Sequence, residues 1–150
     1  MHPLLPLLRR RYAQLAKDLV GPLIEALNVG RASCGGDLDK LLIVLVVGMR
    51  TAEDKRILDL ELEEVLSGEI ESFPSLSTNV RSIADSTGIP RESVRRKVAA
   101  LVEAGWIDRD GRNLSVTPEA YRQLITLRES LLQMALRYAQ MIQALEPQDR

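Results

Sequence analysis

Apolar residues recur with helical spacing over most of this 150-residue chain. Residues 4 to about 28 carry one at every third or fourth position, which predicts an amphipathic helix that begins after Pro3 or Pro6. Gly21-Pro22 lies in its middle, so we expect a kink or a split there. The apolar stripe consists of Leu8, Tyr12, Leu15, Leu19, Leu23 and Leu27.

The next element, from residue 38 to about 49, is apolar on every side. For residues 41–47 a buried strand and a buried helix both fit this pattern. We favour a helix, because Asp37 or Asp39 can cap it and a further helix is predicted from about residue 53 to 66. A helix that is apolar all round must be covered on most of its faces.

Two stretches are predicted to be connections: a loop at residues 30–36, and a linker at residues 67–77 that contains Pro74. The loop holds Cys34, the single cysteine of the chain, so no intrachain disulfide forms. Cys34 is either a redox sensor, which requires an exposed thiol of low pKa, or an incidental loop cysteine.

Residues 76–118 predict two short helices joined by a tight turn. Ser77 or Thr78 can cap the first helix. Gly88 ends it, because glycine accepts the positive φ of a sharp turn, and Pro90 opens the second helix. The apolar positions of the first helix are Val80, Ile83 and Ala84.

The second helix has one apolar stripe and one charged face, and Gly105 ends it. A two-stranded hairpin is predicted next, with Asp110-Gly111 as its two-residue turn. The apolar stripe consists of Val94, Val98, Leu101 and Val102, and the opposite face of Glu92, Arg96, Ala99 and Glu103, flanked by Ser93 and Arg95. This order of helix, turn, basic helix and hairpin resembles a winged helix-turn-helix DNA-binding domain.

The run Arg91-Glu92-Ser93-Val94-Arg95-Arg96 is similar to the recognition helix of the cyclic-AMP receptor protein family. That resemblance implies that Arg91 and Arg96 read guanine and that Glu92 accepts a hydrogen bond from a cytosine amino group. Both pairings fit the chemistry of base edges in the major groove. In size and helical flanks the chain resembles the MarR class of dimeric regulators, and an effector pocket is expected from that analogy alone.

One long helix is predicted from Pro118, capped by Thr117, to about Leu145, where Glu146-Pro147 stops it. Its two apolar stripes suggest one face packed on the N-terminal helix and one on a partner subunit, although the chain itself can cover both. We assign the heptad seam to dimerisation. The seam consists of Leu124, Leu127, Leu131, Met134, Tyr138, Met141 and Leu145, and the second stripe of Ile125, Leu132, Ala135, Ala139 and Ile142.

The net charge of −1 gives no global basic signal, but basic residues concentrate in the predicted DNA-binding unit and acidic ones in residues 51–72. Some of these charges have a plain alternative: Glu92 and Arg96 fit a surface ion pair, and the hairpin arginines fit cross-strand pairs with Asp108 or Asp110. Arg9-Arg10-Arg11 fits either phosphate contact or a solvated face. The candidate DNA-contacting residues are Thr78, Arg91, Glu92, Ser93, Arg95, Arg96, Lys97, Arg109 and Arg112.

The sequence therefore predicts a mostly α fold with a small β-hairpin wing and terminal dimerisation helices. Its three regions are residues 1–72 (helical), 73–118 (DNA-binding) and 119–150 (dimerisation). The expected function is sequence-specific binding of double-stranded DNA by a cytoplasmic homodimeric transcriptional regulator. The alternative is a winged-helix module that binds an acidic protein surface. Because His2 is the single histidine and no phosphate loop or metal-ligand spacing occurs, we expect no enzyme activity, cofactor or metal.

Overall fold

The computed structural model describes residues 1–73 and 78–145. Within these residues the chain forms nine helices and one two-stranded antiparallel sheet, so the expected mostly helical fold with a β-hairpin is confirmed. The elements are α1 (Leu5–Arg10), α2 (Tyr12–Ser33), α3 (Leu38–Ala52), α4 (Lys55–Leu58), α5 (Leu62–Leu66), α6 (Val80–Thr87), α7 (Arg91–Glu103), β1 (Ile107–Asp110), β2 (Asn113–Val116), α8 (Pro118–Gln123) and α9 (Ile125–Leu145).

The chain divides into two compact units. One is Arg31–Ile125, and the other combines Met1–Gly30 with Thr126–Arg150, of which residues up to 145 are described. These boundaries differ from those predicted, since α3 joins the same unit as α6, α7 and the hairpin. No helix among the described residues has the length and hydropathy needed to cross a membrane.

Helix α3 is the central element of the larger unit. Its buried face, formed by Ile43, Val44 and Val47, belongs to one apolar core with residues of α6, α7 and the hairpin. The helical assignment of residues 41–47 is thereby confirmed. Asp37 caps the helix by accepting a hydrogen bond from the Lys40 backbone N–H at 3.0 Å, as one of the two predicted caps.

Helix α6 begins one residue later than predicted. Asn79 is its N-cap: its side chain accepts from the Ser82 N–H, and the Ser82 hydroxyl oxygen accepts from the Asn79 N–H, both at 3.0 Å. The expected cap at Thr78 is therefore wrong, and Ser77 lies outside the described residues. Gly88 ends the helix with φ +74°, as predicted, and Pro90 is the N-cap of α7 rather than its first helical residue.

The hairpin turn lies one residue later than expected. Asp110 pairs with Asn113, so Gly111-Arg112 forms the two-residue loop, not Asp110-Gly111. Gly111 has φ +59° at the first loop position, the conformation that a type II′ turn assigns to glycine. The expectation failed because an Asp-Gly dipeptide also fits a type I′ turn one residue earlier.

Strand β2 has both edges occupied. One edge pairs with β1 from Ile107↔Val116 to Asp110↔Asn113. On the other, the Leu114 N–H donates to the Thr78 carbonyl at 2.8 Å and the Val116 N–H to Thr51 Oγ1 at 3.3 Å. The buried Thr51 hydroxyl in turn donates to the Val47 carbonyl, so α3 holds the hairpin through a polar bridge as well as through apolar contact.

The helix expected over residues 53–66 is wrong, because two short helices, α4 and α5, occupy this range. Asp54 starts α4 by accepting from the Arg56 N–H, and Glu61 starts α5 with a reciprocal Glu64 cap. The predicted linker is not a free connection as far as it is described, since Phe73 is buried and meets the Tyr121 ring edge-on at 5.4 Å. Pro74 lies outside the described residues.

The N-terminal helix breaks at Arg11 instead of at Gly21-Pro22. Pro22 lies inside α2 and is buried. The carbonyl that its missing N–H leaves unbonded belongs to Asp18, an exposed residue, so water can satisfy it. Helix α2 also runs through the first half of the expected loop to Ser33, and the turn to α3 begins only at Cys34.

The C-terminal helix is interrupted at Leu124, whose φ of −96° and ψ of +21° separate α8 from α9. A single helix was predicted because neither Gly nor Pro occurs there. Thr117 caps α8 by accepting from the Ala120 N–H, as expected. The predicted stop at Glu146-Pro147 lies outside the described residues.

In the smaller unit, α2 packs against α9. The buried residues of α2 are Leu15, Pro22, Ala26 and Gly30, and Leu127 is buried on α9. The Tyr138 hydroxyl donates to the Leu19 carbonyl at 2.6 Å. Of the predicted seam, Tyr138 thus contacts α2 of its own chain, Leu127 is buried, Leu131 is exposed, and Leu124 packs on the core of the larger unit.

Asp37 supports both α3 and α7, which generates the first prediction. Burial raises the pKa of its carboxyl, but hydrogen bonds from Lys97 and the Lys40 N–H outweigh this and leave the pKa below the ordinary 3.8. The carboxylate thus adds stability above pH 3.8 that is lost as the pH falls through the lowered pKa. Asp37→Ala should lower the free energy of unfolding by about 1–2 kcal/mol at neutral pH.

Urea unfolding followed by circular dichroism, repeated from pH 7 down to the acid range, measures this difference. Asp39→Ala is the matched control, since Asp39 is an exposed acid in the first turn of the same helix. The gap between wild type and Asp37→Ala should close on acidification. An equal loss in both variants, or a gap that does not depend on pH, would contradict the prediction.

Candidate nucleic-acid interface

Helix α7 has a buried face and a charged, solvent-facing face. Val94, Val98 and Leu101 are at most 4% exposed and belong to the core. The exposed side contains three arginines and two acids. They are Arg91, Glu92, Arg95, Arg96 and Glu103. The amphipathic pattern of this helix is confirmed, and the basic side chains concentrate in its first two turns.

Ion pairing divides these charges into two sets. Arg95 donates to Glu92 at 2.7 Å, so the expected Glu92–Arg96 pair is wrong and the acid binds the residue one position earlier. The hydrogen bond from Arg95 holds the pKa of Glu92 below its usual range and keeps it ionised. Among the described residues, neither Arg91 nor Arg96 makes a hydrogen bond or ion pair, so two guanidinium groups face solvent unengaged.

Lys97 lies away from this exposed set. Its side chain is only 14% exposed, and its Nζ donates to Asp37 Oδ2 at 2.5 Å. The DNA contact of Lys97 stays a prediction, and its charge has a partner at the start of α3. Asp37 was missed as a residue that positions α7, since 60 residues separate the pair and no local pattern connects them.

Two uncharged candidates contribute little exposed surface. Thr78 is 2% exposed, so the structure gives no surface support to its predicted DNA contact. Ser93 is half-buried beside Val94. Sequence reasoning missed the capping pair at the start of α6, in which Asn79 is half-buried and Ser82 is exposed.

A cleft of about 400 Å³ lies beside the first turns of α6 and α7. Val80 lines it from α6, and Arg91, Glu92 and Arg95 line it from α7. The structure thus brings the start of α6 and the basic end of α7 together on one surface. The fork geometry of a guanidinium group matches phosphate oxygens as well as the guanine edge.

The hairpin adds two further exposed cations. Arg112 lies in the loop itself. Arg109 lies on β1, where it pairs with Leu114 of β2. The alternative of cross-strand pairing with Asp108 or Asp110 is wrong, since none of the ion pairs of the described chain involves these arginines.

Other chemistry is weakly represented in the described residues. Cys34 is 8% exposed, and burial and the nearby Asp37 raise the pKa of its thiol. A redox sensor needs an exposed thiol of low pKa, so both features favour the alternative of an incidental cysteine. Residues 1–73 and 78–145 contain no group of three histidine, cysteine or acidic side chains that could hold a metal ion.

Comparisons with protein-family models, curated proteins and solved structures found no match to this chain. The functional interpretation therefore depends on the geometry of α6, α7 and the hairpin.

Gly105 fixes the direction in which the chain leaves α7. Its φ is +78°, its N–H donates to the Val102 carbonyl, and the Trp106 N–H donates to Leu101. This is a Schellman end, which favours glycine. Gly105→Ala should lower the free energy of unfolding by about 1–2 kcal/mol, because a left-handed conformation strains any residue with a Cβ.

Gly48→Ala is the control in the same unit, measured by thermal and urea unfolding. Gly48 lies inside α3, and an added Cβ would meet Val116 at an ordinary 3.7 Å. That variant should stabilise the protein by about 0.5–1 kcal/mol, since alanine favours a helix. Changes of the same sign in the two variants would refute this account of Gly105.

Proposed function

We propose that the protein is a winged helix-turn-helix transcriptional regulator that binds double-stranded DNA sequence-specifically as a homodimer. The observation that carries the proposal is the division of charge on α7. Its apolar face is fixed in the core, while the side chains of Arg91 and Arg96 project from the other side and make no hydrogen bond or ion pair within residues 1–73 and 78–145. A helix held by its back, with free guanidinium groups in front, suits the major groove.

Each exposed side chain of α7 has a distinct proposed role. Arg91 and Arg96 donate to guanine O6 and N7, the most common specific contact to a base edge. Arg95 contacts phosphate, which fixes the register without reading sequence. Glu92 reads a cytosine amino group only after its bond to Arg95 breaks, so its contribution to affinity should be the smaller one.

The hairpin is proposed as the wing. Arg112 in its loop and the neighbouring Arg109 supply cations that suit a phosphate or a narrow minor groove. The homodimer follows from the smaller unit, whose two long helices leave large apolar side chains exposed. Two copies of α7 one helical turn apart would read an inverted repeat. The location we propose is the cytoplasm.

Arg96→Ala tests the base-reading role. The variant should lose about 1–3 kcal/mol of binding free energy on its best site and relax the preference at one base pair. Fluorescence anisotropy on a panel of singly substituted duplexes measures both effects. Arg122→Ala, which removes an exposed arginine from α8, should bind as wild type does. An equal loss on specific and random DNA would assign Arg96 to phosphate contact only.

Selection of bound duplexes from random DNA tests the function as a whole. We expect an enriched inverted repeat, with affinity that falls steeply as salt rises, because phosphate contacts release counterions. If the selection shows no enriched sequence and binding shows no salt dependence, the proposal is refuted. That result would favour the other candidate, a module whose basic helix binds an acidic protein.

A further inference from the structure

Three consecutive arginines lie where α1 meets α2, outside the elements that the proposed function uses. Arg9 and Arg10 belong to the last turn of α1, and Arg11 is the residue that separates the two helices. All three are exposed, and across the described part of the chain their side chains make no hydrogen bond or ion pair. Three guanidinium groups therefore face solvent side by side.

The residues around these arginines add polar groups but no negative charge. Tyr12 is 56% exposed, and Gln14 is exposed one turn after Arg10. Residues 1–17 contain neither aspartate nor glutamate, and the first acid of the chain is Asp18. An arginine side chain carries five N–H donors and no acceptor. Residues 9–14, which we call the arginine junction, thus offer positive charge and hydrogen-bond donors without a carboxylate to neutralise them.

The backbone of the arginine junction distributes the charges around the chain axis. The Arg11 N–H donates to the Leu7 carbonyl, and the Arg11 carbonyl accepts from the Leu15 N–H, so helical turns continue through the junction. Consecutive residues of a helix point about 100° apart. The three arginines therefore cover a wide arc, which suits a partner with several separate acceptors. The planar fork of each guanidinium group matches phosphate oxygens.

Stabilisation of α1 does not by itself account for a run of three. A cation near the C-terminal end of a helix interacts favourably with the helix dipole, so one arginine in the last turn already supplies this effect. Further arginines beside it add repulsion between like charges. A partner that carries a series of negative charges removes that repulsion, and a polyanion is such a partner.

We propose that the arginine junction contacts phosphates of double-stranded DNA independently of sequence, as a contact additional to that of α7. The inference rests on the proposed function, because it takes duplex DNA as the polyanion. An anionic membrane fits less well, since an interfacial helix inserts an exposed apolar face. The four leucines of residues 4–8 are instead half-buried in the chain. Phosphate contacts add affinity and salt dependence but no sequence preference.

The test replaces all three arginines together, as Arg9→Gln, Arg10→Gln and Arg11→Gln. Fluorescence anisotropy over a series of salt concentrations gives the slope of log affinity against log salt, on the preferred duplex and on random duplex. We expect a slope shallower by about 2–3 on both, because each phosphate contact contributes about 0.9. Affinity should fall by the same factor on the two duplexes. Helical circular dichroism should not change, since glutamine favours a helix about as much as arginine.

Two control variants separate a local contact from net charge and from a structural role. Replacing the same three arginines by lysine keeps the charge, so the wild-type slope should return. The other control removes three exposed cations elsewhere and should also keep the wild-type slope: Arg31→Gln, Lys55→Gln and Arg122→Gln. If the triple glutamine variant of the junction loses helicity, single glutamine variants decide instead, and each should lower the slope by about 0.9.

Several results would overturn the inference: an unchanged slope, an equal change in the control that removes distant cations, or a loss confined to the preferred duplex. Sedimentation with phosphatidylserine vesicles tests the other polyanionic surface. If the glutamine variant keeps the wild-type slope on DNA but no longer sediments with vesicles that bind wild type, the partner is a membrane and the inference is wrong.

The same measurements separate this inference from the proposed function. If selection finds no preferred sequence but the glutamine variant has a shallower slope on random duplex, the arginine junction is supported and sequence-specific regulation is refuted. A preferred sequence that wild type and the glutamine variant bind with equal slopes has the opposite meaning. If wild type binds no duplex even at low salt, both proposals are refuted.

Discussion

The larger unit depends on the packing of α3 against α4, α6, α7 and β2. Ile43 and Val47 are fully buried, and the core they share includes Ile83 of α6, Val94 of α7 and Leu114 of β2. One helix thus supports the two helices and the hairpin that form the candidate interface. The backbone of α7 that carries the arginines is held in place because its buried face cannot move without opening this core.

The order and type of elements around α7 were predictable because their signals are local. Val94, Val98 and Leu101 give the buried stripe, Gly88 and Gly105 end the two helices, and a glycine-containing turn joins the strands. These features depend on a few neighbouring residues whose conformational preferences agree with the final fold. Because the buried stripe fixes which positions of α7 face solvent, the exposure of its three arginines was predictable too.

Expectations failed or were incomplete where distant residues decide the outcome. Lys97 looks like its arginine neighbours in sequence, and only the fold brings Asp37 beside it. Pro22 predicts a break in the helix, but α2 continues through it and the Pro22 ring is buried. The apolar stripes of α9 are equivalent in sequence, so periodicity alone could not tell which of them α2 covers. Tertiary contacts supply this information, and local propensity does not contain it.

The separation of charge within the larger unit has a consequence for the DNA binding that we propose. Exposed acids, among them Glu61, Glu63 and Glu64, concentrate on and around α4 and α5, whereas α7 carries its cations. The electric field of the DNA phosphates orients a nearly neutral molecule with such a dipole. The net electrostatic attraction between the two stays weak. The protein would therefore spend little time on random sequence in the wrong orientation, and its association rate would depend on ionic strength more than its net charge suggests.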